Sequence, residues 1–286
     1  MEKLRPGVIL CPTDFSEMAT FSLKYAKILA AGFGARLIVL YAEPCNPPPY
    51  FTPGQEDEIL ATLERLKKAA AAHLSRYVKE HGLGEDTQTL VVDQPPVQAI
   101  LRTADQHDAW IVMGTHGLSG WSRVLLGSVA ERVLHETDRP VLTARYKKGA
   151  PEPSAISIRQ VFCPVNFTQV ARQALEYAVA VAESFAAELI VLKVVEPVSD
   201  PASDEGAMDR LCAWIPNEVR ARCNLKEIIR RGDAAEEIIT AASSSRCDMI
   251  VLGAQHRSFF DTTVIGTTTV QVTRHAPCPV LTVIRK

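Results

Sequence analysis

The sequence predicts an α/β protein in which an open, parallel five-stranded sheet with helices on both faces is built twice in tandem. Three observations carry this. Short continuous apolar runs, such as Val8–Cys11, Trp110–Met113 and Val161–Cys163, alternate with longer segments of helical period. Strands apolar on both faces belong to parallel sheets covered from each side. The second observation is an internal repeat: Cys11–Leu40 aligns with Cys163–Leu192 at an offset of 152, with fourteen of thirty positions identical. The third is a later block at an offset of 139, where Gly114, Gly127 and Pro140-Val141-Leu142-Thr143 recur as Gly253, Gly266 and Pro279-Val280-Leu281-Thr282. A period this long means tandem domains rather than a solenoid. The offsets differ by thirteen, which places a longer middle segment in the first repeat, between Glu43 and Glu85.

Each element of the first repeat follows from its pattern. Val8–Cys11 is a strand, Met18–Phe33 a helix and Arg36–Tyr41 a second strand. A long second helix carries Ile59, Leu63, Leu66, Ala70, Leu74 and Tyr77 at spacings of three and four, which predicts a buried stripe along its length. Thr87–Val92 is a strand, and Val97–Ala104 a short helix opened by Pro95-Pro96. Trp110–Met113 and Val141–Arg145 supply the last strands, with a helix from Val129 to Leu134 between them. The second repeat offers Val161–Cys163, Val170–Phe185, Glu188–Val195, Lys226–Ile229, Ala234–Ala242, Met249–Leu252, Thr267–Arg274 and Val280–Ile284. Pro197, Pro201 and Pro216 in its middle segment predict a shorter or broken helix there. The domain boundaries expected are 1–146 and 159–286, joined by a linker over 147–158 that holds Lys147-Lys148-Gly149 and Pro151-Glu152-Pro153.

The bulk numbers narrow the function classes. The 286 residues suit two domains of about 140 each, and 47% hydrophobic residues suffice for two cores. A net charge of −2 without a polybasic block argues against nucleic acid and against an anionic membrane as partner. No apolar run approaches the roughly 18 residues of a membrane span, and Met1–Pro6 leads straight into a strand. A cytoplasmic protein is expected. The seven cysteines form no Cys-x-x-Cys pair, and Cys11, Cys163 and Cys278 read as small core residues in or beside strands. His275-x-x-Cys278 has metal-like spacing but no second pair, while Cys212 and Cys223 share the variable middle segment as a candidate redox or metal pair.

The candidate site rests on two sequences that end strands. Gly114-Thr115-His116-Gly117 follows the Trp110–Met113 strand, and after nine residues Gly127-Ser128-Val129 opens a helix. Glycines let backbone amides approach a ligand, and a helix N-terminus carries partial positive charge, so this spacing suits a phosphate. Pro12-Thr13-Asp14 ends the first strand. Asp14 suits the hydroxyls or amino group of a nucleoside, but an Asx turn or N-cap competes for it, with Ser16 as rival cap. His116 and Arg123 are candidate phosphate contacts, although such loop residues are more often solvated surface.

These motifs resemble the nucleotide-binding signature of the universal stress protein family, and the resemblance covers both repeats. It implies a Rossmann-like fold akin to the adenine nucleotide alpha hydrolases, with strand order 3-2-1-4-5 in each sheet. That order puts both motifs at the crevice where strands one and four diverge. The resemblance further implies that Thr13 and the backbone of Ala42 line an adenine pocket, that the Gly127-Ser128-Val129 amides and the Ser128 hydroxyl meet phosphates, and that Met113 and Gly114 belong to the same cofactor-binding set. Mg²⁺ would be bound through those phosphates, with no protein metal ligand. Where the family often has His-Val, this chain has Tyr41-Ala42. It also implies that the last strands, Val141–Arg145 and Val280–Ile284, pair antiparallel to make an internal pseudo-dimer, with a homodimer and an unknown protein partner left open.

The second repeat departs from the pattern at telling places. Asn166 stands for Asp14, Lys193 for Tyr41 and His256 for Gly117, while Gly253, Gly266 and Thr267 keep their counterparts' character. A side chain at the His256 position obstructs close phosphate approach, so the second cradle is expected to be impaired. The expected function is ATP binding in the first repeat, as a nucleotide-dependent regulator in stress adaptation. The rivals are a non-nucleotide interaction scaffold and a slow ATPase. With no Walker lysine, Gly-x-Ser-x-Gly elbow or general base near Gly127, no catalytic residue is identifiable and at most weak ATP hydrolysis is expected.

Overall fold

The computed structural model describes residues 4–44, 56–84, 86–115, 126–145, 156–196, 206–259 and 262–285. In its first half, β1 (Val8–Pro12), β2 (Arg36–Ala42), β3 (Gln88–Val92), β4 (Trp110–Gly114) and β5 (Val141–Ala144) alternate with α1 (Glu17–Phe33), α2 (Glu56–Glu80), α3 (Pro96–His107) and α4 (Ser128–Glu136). The second half repeats this with β6 (Gln160–Val165), α5 (Gln169–Phe185), β7 (Glu188–Val195), α6 (Ala207–Trp214), α7 (Asn217–Arg222) and β8 (Leu225–Arg231). It continues with α8 (Ala234–Ser244), β9 (Met249–Phe259), β10 (Thr262–Ile265), α9 (Thr267–His275) and β11 (Val280–Arg285).

Each half has the order 3-2-1-4-5, and the halves join into one continuous sheet, β3-β2-β1-β4-β5-β11-β9-β6-β7-β8. The seam is the antiparallel pair β5–β11, with Leu142 opposite Leu281 between Val141↔Thr282 and Thr143↔Val280. The repeated Pro-Val-Leu-Thr segments thus cover each other's open edge.

The continuous apolar strands serve both faces by alternation. Ile9, Cys11, Leu37 and Val39 point into one cluster, which also holds the inner faces of α1 and α5 and runs unbroken across both halves. Val8, Leu10, Ile38 and Leu40 point the other way, under α3 and α4. A third cluster lies under α8 and α9. At the seam the Phe33 and Trp110 rings are 5.2 Å apart, and Trp110 lies 5.3 Å from Tyr177 of the other half. Gly32 lies flat against Phe185, where any Cβ would come within 2.3 Å of the ring.

The structure corrects the sequence reading in several places. The stripe on α2 is fully buried only towards its C-terminal end, through Leu74, Tyr77 and Val78, while Leu66 is 55% exposed. α3 runs on to His107 and stops where Asp108 takes a left-handed conformation, φ 49°. β9 continues past Leu252 to Phe259 and folds back as β10, with His256 opposite Ile265. The helix break expected at Pro216 falls between α6 and α7. No described helix is long and apolar enough to cross a membrane.

Candidate functional site

The first crevice forms where β1 and β4, neighbours in the sheet, send their connections to opposite faces. A tight turn follows β1. Thr13 N donates to Leu40 O at 2.8 Å, and Thr13 Oγ1 accepts from Phe15 N at 3.0 Å. Asp14 Oδ1 accepts from Ser16 N at 3.0 Å, so the Asx turn is made, while Ser16 Oγ takes the N-cap of α1 by accepting from Ala19 N at 3.1 Å. Phe15 pays for this geometry with φ 63°, a left-handed backbone that costs a bulky residue energy. Its ring is held by Tyr41, His73 and Tyr77 at centroid distances of 4.8, 4.5 and 5.2 Å. Thr20 and Tyr77 share a 2.9 Å hydroxyl contact beneath it, and burial raises the Tyr77 phenol above its ordinary value.

On the other wall, Thr115 N donates to Ala144 O at 3.1 Å, and Gly127 N donates to Thr115 O at 2.6 Å. These bonds pin the start of α4 beside the end of β4. Gly127 is the N-cap and has no side chain with which to bond the first amides of the helix, so α4 borders the crevice with its positive end.

Ten of the twelve residues expected at the site line one cavity of 330 Å³: Pro12, Thr13, Asp14, Ala42, Met113, Gly114, Thr115, Gly127, Ser128 and Val129. His116 and Gly117, like Arg123, lie outside the described residues. Sequence reasoning missed the floor, where Leu40, Pro96, Ile100 and Ala130 add apolar surface. Pro96 and Ile100, four apart on the helix opened by Pro95-Pro96, were the available signal. Among the described residues, Asp14 is the single carboxylate of the lining, and no cluster of metal-binding side chains occurs.

The second half has a crevice at the matching place, of 530 Å³, lined by Asn166, Lys193, Glu196, Gly253, Gln255 and the first turn of α9. Its turn copies the first: Phe167 also has φ 63°, and Thr168 caps α5 while donating to Asn166 Oδ1 at 2.6 Å. Its chemistry differs. Lys193 Nζ donates to Val194 O at 2.7 Å and lies 5.4 Å from the Phe167 ring centroid, and burial holds its pKa below the ordinary value. Gly253 packs against α5, where a Cβ would meet Val170 O at 2.7 Å. Packing therefore accounts for this glycine without a ligand.

Elements of the second half also support the first crevice. Strand β10 packs beside α4, and Ala254 and Ile284 join the apolar cluster of Met113, Leu126 and Ala130. Arg274 of α9 reaches Glu131 of α4 at 3.6 Å. Of the cysteines singled out, Cys212 Sγ lies 3.9 Å from Glu227 Oε1 and Cys223 packs against the large cluster.

The model of the universal stress protein family matches residues 7–145 and again residues 157–283. A universal stress protein of Methanocaldococcus jannaschii is 32% identical over 145 residues, spanning 49% of this chain and 82% of its own length. One from Mycolicibacterium smegmatis is 22% identical over 241 residues, 80% of this chain and 78% of that protein. Among solved structures, a universal stress protein from Archaeoglobus fulgidus aligns over 99% of this chain and all of its own with a TM-score of 0.73, at 22% identity, which is a likeness of fold.

Proposed function

The chain belongs to the universal stress protein family, and from that premise we propose that it binds ATP, or a related adenine nucleotide, in its first half as a nucleotide-dependent regulator in stress adaptation. The observation that carries the reading is convergence: two motifs a hundred residues apart in sequence border one cavity of 330 Å³ at the switch point of the sheet. In this reading residues 1–146 form the nucleotide-binding domain and residues 159–286 its partner, joined by the linker 147–158.

The lining suits such a ligand by chemistry. Leu40, Ile100, Met113 and Ala130 offer an apolar floor for a purine. The Asp14 carboxylate is acceptor-only when ionised and suits ribose hydroxyls. The first turn of α4 supplies backbone amides and the Ser128 hydroxyl to phosphates, beside Thr115 in the same lining, and His116 and Gly117 are assigned to the phosphates by the sequence motif alone. A lone lining carboxylate does not make a protein cage for a divalent cation, so Mg²⁺ would be held by the phosphates, where it offsets their charge.

Extraction of the purified chain and identification of the released nucleotide tests this first. Titration with ATP by calorimetry is expected to give one site per chain. Two equal sites would mean that the second crevice is as competent as the first, and no binding at all would end the reading.

A further inference from the structure

Cys247 and Cys278 are far apart in the chain and meet at the end of the sheet opposite the crevices. Their sulfurs lie 3.7 Å apart, and both are free thiols. The parallel ladder brings them together: Val280 stands opposite Ile250, and Ile250 N donates to Pro279 O at 3.0 Å, so each cysteine precedes a strand that begins beside the other. Neighbouring strands about 4.8 Å apart put two such residues within the span of a disulfide. The sulfurs need to approach by only about 1.7 Å to reach bonding distance.

Their exposure is unequal. Cys247 is buried, with Sγ 3.0 Å from Met249 O. Cys278 is partly exposed. A reagent from solvent meets Cys278 first and finds Cys247 directly behind it.

We propose that this is an oxidisable pair, which a hydroperoxide converts into an intramolecular disulfide joining the starts of β9 and β11. In the first step the Cys278 thiolate attacks a peroxide oxygen: an S–O bond forms, the O–O bond breaks, and an alcohol (water, from hydrogen peroxide) leaves with a proton. In the second, the Cys247 thiolate attacks the sulfenic sulfur of Cys278; the S–S bond forms and hydroxide leaves as water. Two thiols thereby lose two electrons to one peroxide. The contact with Cys247 and burial hold the Cys278 thiol well above its ordinary pKa, so closure is slow at neutral pH and quickens as pH rises. The loop so closed, residues 248–277, carries β9, β10 and α9. Of these, β9 and α9 line the second crevice and β10 packs on α4.

The test uses the full chain, reduced, desalted and exposed to hydrogen peroxide, then unfolded in iodoacetamide, digested and mapped by mass spectrometry. Peptides holding Cys247 and Cys278 are expected to be recovered joined, lighter by two hydrogens, and separated again by dithiothreitol. In Cys247→Ser, Cys278 is expected to proceed to the sulfinic acid for want of a resolving thiol. In Cys278→Ser, Cys247 should stay reduced behind its shield. Recovery of the two wild-type peptides separately, oxidised or not, or linkage of either to another cysteine, overturns the proposal. The wild-type map decides this even where a variant folds poorly.

Discussion

The two crevices stand on the same backbone and present different chemistry. Phe15 and Phe167 share φ 63°, Ser16 and Thr168 both cap the following helix, and each fourth strand lies beside the first. Yet Asp14 faces one cavity where Asn166 faces the other, and Tyr41 gives way to Lys193. After the fourth strand, the second half continues as the β9–β10 hairpin, with His256 in its ladder. The duplicated positions are thus of two kinds, one kept and one lost. The strained phenylalanine and the capping hydroxyl hold the first turn of a domain whatever it binds, while in the proposed reading Asp14 and the Gly114-Thr115-His116-Gly117 segment serve a ligand. Gly253 belongs to the first kind although its position in sequence suggests the second.

The largest effect expected from this division is at Gly253. A methyl there meets the Val170 backbone at 2.7 Å, and neither strand nor helix yields easily. Gly253→Ala is expected to destabilise the chain by about 3 kcal/mol, the upper range for overpacking a dense core. Gly266→Ala is the matched control, since nothing lies within 4 Å of its added Cβ; as an N-cap change it should cost less than about 1 kcal/mol. Denaturant melts of both variants decide the point. Equal losses would return Gly253 to the ligand-serving class.

The next effect lies in the first crevice, where Asp14→Asn copies the second half. The amide keeps an oxygen to accept from Ser16 N, as Asn166 does from Thr168, so the turn and the melting temperature should hold. Loss of a charged acceptor for the nucleoside should weaken ATP binding by roughly ten-fold, in line with a charge-assisted hydrogen bond. Affinity for inorganic triphosphate should be unchanged. A variant that binds ATP as the wild type does would assign Asp14 to the turn alone.

How much of this was legible in the sequence follows from what each signal depends on. The strands were readable because runs such as Leu37-Ile38-Val39-Leu40 feed two faces at once, and the repeat carried the second half with it. The seam was readable from the repeated Pro-Val-Leu-Thr strands, since each would leave an open edge if alone. The stripe on α2 misled at Leu66, because periodicity states which face is apolar and not how much of that face is covered. The hairpin after Leu252 was missed because a glycine-rich signature suggested a loop, and ladder pairing depends on where the chain returns. The floor residues Pro96 and Ile100 join the site only through the crossing of α3 under the sheet. The contact of Cys247 with Cys278 was illegible for the same reason: it is made by the β9–β11 register and not by spacing.

The smallest effect separates an edge cover from a tuning partner. Arg274, from the second half, lies 3.6 Å from Glu131, in the opening turns of the helix whose N-terminus borders the first crevice. Both side chains are partly exposed, so their attraction adds little to stability, and Arg274→Gln should change it by less than about 1 kcal/mol. The charge left on Glu131 would still act on an anion near Ser128, through a partly solvated path that salt screens. ATP affinity is therefore expected to fall by roughly two-fold at low ionic strength and to return to the wild-type value near 0.5 M salt, where screening is about complete over such distances. Glu131→Gln in the same background removes the repelling charge and should restore binding at low salt. A single variant that binds as the wild type does at every salt concentration would leave the second half holding α4 by packing alone, through β10 and the apolar contacts of Ala254 and Ile284. A loss that persists at high salt would point instead to a displaced helix, which a lowered melting temperature would then reveal.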